Sequence, residues 1–229
     1  AEGLALAGID AVSRANNHSM NFGAEGMRDT GAALESVGIR GFGIGETLRE
    51  AREPAVFTVR GLRLAFLGYD GITGSTDGAT DETPGTAPLD TELLAEDIAA
   101  ARRVADIVIP FVHWGVEYTL TPTAEQRSIA YRAVDAGAAA VIGSHPHWVQ
   151  GMEVYHGVPI LYSLANFVFD QEWSEETKQG IIARLVFHGT RLAGIRLTPI
   201  LIEDYYQPRI ADDATRYVIL DRFWTSSTA

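Results

Sequence analysis

Apolar positions along this chain follow two periods, and the switches between them predict the elements. Residues 24–37 place Met27, Leu34 and Val37 on one helical face, with Gly38 as the closing residue. The opening residues read as a helix that ends at Gly8, followed by a short strand at 9–13. Residues 57–59 and 62–68 form two strand-like runs around Arg60-Gly61, which predicts a hairpin. Further helices are predicted at 89–104, at 123–136 with Gly137 at its end, and at 212–222. The uninterrupted apolar runs at 107–113 and 139–142 suit strands buried on both faces. Strands are also expected at 159–164, 181–188 and 191–202.

Strands alternating with helices define an α/β protein. The later strands follow one another without helices, which predicts mixed strand directions rather than a purely parallel sheet. Between Asp70 and Pro88 the run GITGSTDGATDETPGTAP is rich in Gly, Thr and Asp, and is expected to be a long loop, either a lid or a plain solvated surface segment. With no repeat and no Ser/Pro-rich linker, residues 1–229 are expected to form one domain.

Composition changes this picture in three ways. With 18 basic and 30 acidic residues the formal charge is −12, which argues against a general nucleic-acid binder. An anionic substrate stays open, because a metal or a local pocket inverts the local field. The absence of cysteine excludes disulfides, thiolate metal sites and a thiol nucleophile. No uncharged apolar run reaches the roughly 20 residues that span a bilayer, and the start, AEGLALAGID, lacks the basic-then-apolar order of a signal peptide. The first residue is Ala1 rather than methionine, so a preceding segment is expected.

Four of the six histidines fall in three short motifs, each just past a predicted strand: ANNHSMNFG with Asn16, Asn17 and His18; FVHWGVEY with His113; and GSHPHWVQG with Ser144, His145 and His147. Strand ends are where sheet enzymes assemble their sites. Taken alone, His113 reads equally as a hydrogen-bonded core histidine, and His18 as part of a turn. The His-Pro-His spacing is harder to dismiss. Pro146 fixes its own φ, and in an extended segment residues i and i+2 point the same way, giving a plausible metal chelate. Asn17 offers a neutral oxygen ligand, and the adjacent His18 a group able to hand a proton to a leaving group. His156 and His188 lie outside any such motif and read as structural.

These motifs, followed by ILYSLANFVFDQ, resemble in order the bacterial capsule synthesis family, the CapA-like, poly-γ-glutamate branch of the calcineurin-like metallophosphoesterases, over roughly residues 1–210. The resemblance implies a four-layer α/β/β/α sandwich with mixed sheets, here without its N-terminal strand or strands. It implies metal ligation by Asn17, His113, His145 and His147, with His18 protonating the leaving group. One or two divalent ions, Mn, Fe or Zn, would lower the pKa of a bound water and clamp an in-line displacement. Asn16, Trp114, Glu117, Ser144 and Asn166 become substrate-facing or supporting positions. Glu117 is read as a partner for a substrate amine or for a histidine, with a surface salt bridge as the plain alternative. Asn166 is read as a buttress acting through side-chain to backbone hydrogen bonds, and Trp148 as a pocket floor or a core residue.

The chain departs from the family pattern in three places. Two acidic ligand motifs expected before Asn17 are missing, Asn21 stands where the family has Asp, and Ser144 where many members have a further His. Asp10 reads as solvated or capping. The implied function is synthesis, release or export of an anionic cell-surface polymer by a metal-dependent hydrolase or transferase, with the polymer or a phosphoester as substrate. The alternative is a non-catalytic polymer-handling or scaffold protein with an incomplete metal site; a weaker third reading is cleavage of amide bonds. The implied partners are other capsule-synthesis membrane components, with no nucleic acid. A second copy or an N-terminal fragment would fill an open sheet edge. The implied location is the cell envelope, by membrane anchoring or export of the full-length protein.

Overall fold

The computed structural model describes residues 1–227, which divide into two compact units. The first comprises Ala1–His113 with Asp135–Ala138, and the second Trp114–Val134 with the chain from Ala139 onward. Among the described residues no helix is long and apolar enough to cross a membrane.

The first unit runs α1 (Glu2–Leu6), β1 (Ala11–Ser13), α2 (Gly23–Glu35), β2 (Arg40–Phe42), β3 (Ile44–Gly45), α3 (Leu48–Ala51), β4 (Ala55–Val59), β5 (Leu62–Asp70), β6 (Gly85–Thr86), α4 (Thr91–Ala101) and β7 (Ile107–His113). β1 and β2 are parallel neighbours joined across α2, which buries Met27 and Leu34 as its spacing predicts. β4 and β5 pair about Arg60-Gly61, whose φ values of 51° and 83° are those of the tight turn that matches strand twist. β5 and β7 run parallel, from Leu64 opposite Ile107 to Asp70 opposite His113. Asp90 caps α4 by accepting from the backbone N–H groups of Glu92 and Leu93. Phe42, Phe57, Phe66 and Phe111 meet with ring centroids 5.7–6.1 Å apart.

The segment at 70–88, expected as a lid or a plain solvated loop, is a loop tied down at several points. Asp70 is fully buried, and its carboxylate accepts from Ile72 N, Thr73 N, Thr73 Oγ1 and Thr86 Oγ1. The backbone returns through β6, paired with β3, and Asp70 N donates to Ala87 O. Asp and Thr side chains bonding to nearby backbone and to one another close such loops without regular structure. The short elements β2, β3, α3 and β6 were not expected, since two to four residues show no period.

The second unit runs α5 (Ala124–Asp135), β8 (Val141–Ser144), β9 (Gln150–Tyr155), β10 (Val158–Ser163), β11 (Gln179–His188), β12 (Arg191–Glu203), β13 (Gln207–Ile210) and α6 (Asp213–Thr225). β10 is parallel to β8 and antiparallel to β9, so the predicted mixture of directions is present within one sheet. β11, β12 and β13 form an antiparallel sheet. α6 packs Ile219 and Phe223 against Val149, Ile181 and Ala211. α5 opens with a reciprocal cap: Gln126 N donates to Thr123 Oγ1, and Thr123 N donates to Gln126 Oε1. β9 and β13 were missed, β9 because the His-Pro-His motif masks its start.

In the first unit the chain just after β2 comes close to β5 at Gly43 and Gly68. A Cβ on Gly43 would lie 2.9 Å from Gly68 Cα and 2.8 Å from Ala15 Cβ, at φ +82°. Gly43→Ala therefore combines a left-handed backbone with overpacking and is expected to cost about 2–4 kcal/mol. Gly61→Ala, at φ +83° with nothing within 4 Å, carries only the first penalty, about 1–2 kcal/mol. Denaturant melts of the two variants should differ accordingly.

Candidate metal centre

In the first unit the polypeptide leaves β1 through a turn held by its own side chains. Asn16 Oδ1 accepts from His18 N at 2.9 Å, Ser19 Oγ donates to Arg14 O, and Asn21 N donates to His18 O. This turn delivers Asn17 Oδ1 to 2.9 Å from His113 Nε2, at the end of β7. Adjacent ligands of one ion with bonds of ~2.1 Å sit about 3.0 Å apart in octahedral and about 3.4 Å apart in tetrahedral geometry. The Asn17–His113 spacing is of that kind. The His18 ring is engaged separately, with Nδ1 3.1 Å from Asn21 Nδ2. Asp70, in register with His113, has both oxygens occupied by the donors named above and is not a spare ligand.

In the second unit three donors gather. Glu117, His145 and His147 each present one ligand atom, all within 4.8 Å of one another. Glu117 Oε1 is 3.7 Å from His147 Nε2, and the two imidazole centroids are 6.0 Å apart. The two rings do not come together as the spacing argument expected. The segment is not extended: His145 and His147 have φ values of 98° and 59°, so a left-handed turn around Pro146 brings the rings together. His145 is also buried, whereas Glu117 is exposed.

Glu117 reaches the histidines because its loop is fixed at several points. Trp114 N donates to Ser144 O, Tyr118 N donates to Pro146 O, and buried Gln150 donates from Nε2 to Thr119 O at 3.0 Å. Trp114, offered as a substrate-facing or supporting residue, lies in the core. It is only 2% exposed, and its indole N–H donates to Tyr162 O, so it supports the loop rather than meeting a substrate. Tyr118 lies over the His147 ring, centroids 5.9 Å apart, and meets Trp148 and Trp173 edge-on. Burial first, and then the Glu117 carboxylate, raise the Tyr118 phenol above its ordinary pKa. Trp148 Nε1 is buried without a hydrogen-bond partner.

Asn166 does more than the backbone buttressing expected of it. Its Oδ1 is 2.8 Å from His147 Nδ1, while its Nδ2 donates to Gln171 Oε1 and Thr177 O. With the nitrogen side of the amide facing two acceptors, Oδ1 accepts from His147. Nδ1 therefore carries a proton, and it is Nε2 that lies on the side of Glu117, with a lone pair there when the ring is neutral. Two imidazole nitrogens and a carboxylate form a donor set for borderline divalent cations, so these residues fit such an ion. Glu117 as part of that set was missed by sequence reasoning; four residues from His113 in a loop, it has no ligand spacing to betray it.

The α/β fold with mixed sheets is shared with solved structures of low sequence identity. Thermus thermophilus sulfate thiohydrolase SoxB superposes with a TM-score of 0.60 at 17% identity, covering 98% of this chain and 39% of that one. A 5′-nucleotidase precursor from the same organism gives a TM-score of 0.56 at 15% identity, covering 93% and 42%. The chain belongs to the bacterial capsule synthesis protein PGA_cap family, whose model matches residues 1–171. The PGA biosynthesis protein CapA of Bacillus subtilis is 34% identical over 219 residues, 95% of this chain and 57% of that protein. The capsule biosynthesis protein CapA of Bacillus anthracis is 34% identical over 202 residues, 86% of this chain and 49% of that protein. The chain thus spans about half the length of these relatives.

Glu117→Gln keeps the size of an exposed side chain and removes its charge. It is expected to weaken Mn²⁺ or Zn²⁺ binding by about 10–100-fold in calorimetric titration with little change in melting temperature.

Proposed function

We propose that this chain is the metal-binding part of an accessory protein for poly-γ-glutamate capsule synthesis, acting at the cell envelope on an anionic polymer or phosphoester. The observation that carries the reading is the Glu117–His145–His147 cluster, in which Asn166 holds His147 with Nε2 directed to the carboxylate. The family membership and the CapA relatives support the capsule assignment. The family match runs through both units, which favours treating residues 1–229 as one domain. In this reading Asn17 and His113, in the first unit, are metal ligands as well, and the metal is Mn, Fe or Zn, as one ion or two. A divalent ion of this kind supplies Lewis acidity and an ionised water at neutral pH. With Asn21 Nδ2 donating to Nδ1, Nε2 is the ring nitrogen from which the protonated form of His18 would hand a proton to a leaving group. Asn16 shapes the turn that presents His18, and the aromatic rings of Tyr118, Trp148 and Trp173 supply an apolar wall beside the ligands. Other capsule-synthesis membrane components are the proposed partners, and a second copy or an N-terminal fragment the proposed neighbour of β1, whose pairing among the described residues is with β2 alone.

One observation favours the second reading, polymer handling without turnover. Asp70, the acid at the strand end beside His113, is saturated by protein donors, and among the described residues Glu117, His145 and His147 are the group of three or more such side chains able to hold an ion. Metal analysis of the purified protein beside a phosphodiesterase assay on bis-p-nitrophenyl phosphate separates the two. Bound metal with turnover that is lost in His18→Ala and His147→Ala supports the enzyme. Bound metal without turnover supports the handling protein, and no metal at all overturns both versions of the site.

A further inference from the structure

Gln171 lies in the irregular segment between β10 and β11, with no place in the ligand set. It is 7% exposed. Its Oε1 accepts from Asn166 Nδ2 at 3.1 Å, and its backbone carbonyl accepts from Thr177 Oγ1 at 2.6 Å. Thr177 is fully buried, and its own carbonyl is the second acceptor for Asn166 Nδ2, at 2.9 Å. Thr177 N in turn donates to Ser174 Oγ. Residues 171–177 thus form a small hydrogen-bonded frame around the amide of Asn166.

That frame has a chemical consequence because a side-chain amide is nearly symmetric in shape and opposite in polarity at its two ends. Turned by 180°, Asn166 would present Nδ2 to His147. The imidazole would then have to accept at Nδ1 and carry its proton on Nε2, facing Glu117. In that state Nε2 has no lone pair for a cation. The two acceptors on the nitrogen side disfavour the turned state, since they would face an oxygen and be left unsatisfied in a buried site.

We propose that Gln171 is a positioning residue: by accepting from Asn166 it fixes the tautomer of His147 and so keeps Nε2 available to a divalent cation. The inference deepens the metal-binding reading and rests on it, but the tautomer can be observed without metal. The test uses the whole chain in metal-free form, with 15N–1H correlation spectra of the imidazoles assigned by comparison with His147→Ala. Wild type should show His147 protonated on Nδ1. Gln171→Met, of similar volume but without the acceptor, should shift the population toward Nε2–H and weaken Zn²⁺ binding by about 10–100-fold. Gln171→Glu keeps an acceptor for Asn166 Nδ2 and should restore both the tautomer and the affinity. If Q171M does not fold, Gln171→Asn withdraws the acceptor by one methylene while keeping an amide in the buried site, and should shift both readouts in the same direction. An unchanged Nδ1–H signal with Zn²⁺ affinity within twofold of wild type in Q171M or Q171N overturns the proposal. So does Q171E behaving like Q171M, which would mean that Gln171 acts through packing alone. Wild-type protein that binds no Zn²⁺ would overturn the metal reading, while the tautomer spectra would still decide the role of Gln171.

Discussion

The position of Asn17 depends on how closely two backbones approach. β1 carries the Asn-Asn-His turn and hangs on β2; β2 is held to β5 where Gly43 meets Gly68 at a distance that leaves no room for a Cβ. β5 in turn sets the register of β7, and with it the height of His113. A close backbone approach flanked by packed rings has few ways to adjust. This is why an amide oxygen and an imidazole nitrogen 96 residues apart in sequence can be held at 2.9 Å. A larger residue at either glycine would lift the turn away from the histidine.

A second constraint shapes the candidate site: each polar atom has a limited number of bonding directions. Asp70 stands where a carboxylate ligand would be useful, but its oxygens are committed to a loop that would otherwise stay open. His147 is treated differently. One nitrogen is committed to Asn166, and the other faces Glu117. The distinction between a structural acid and a ligand histidine lies in the neighbours that have already claimed their atoms, and residue type does not reveal it.

The elements with a sustained period were legible in the sequence. α2, α4, α5 and the strands β5, β7, β10, β11 and β12 are close to where apolar spacing predicts them, and helix-free connections foretold the mixed directions. The family motifs were legible as well, because they are short contiguous strings. What stayed hidden depends on tertiary placement. Glu117 enters the donor cluster only because Gln150 and Pro146 hold its loop, and both partners are distant in sequence. Trp114 reads as an aromatic beside a site, and only its burial and its bond to Tyr162 O show it to be core. The His-Pro-His motif was read with extended geometry, whereas the backbone there turns through positive φ.

That turn changes when the entropy of assembling the chelate is lost. In a flexible peptide of the same sequence, an ion would have to arrest three residues as it bound, at roughly 1–2 kcal/mol of backbone freedom for each. Here folding has already arrested them, with His145 and His147 confined to a region of φ that unfolded L-residues visit rarely. The ordering cost belongs to the folding equilibrium and is absent from the binding one. The imidazoles are therefore preorganised, and the affinity of the pair reflects its donor chemistry with little lost to immobilisation.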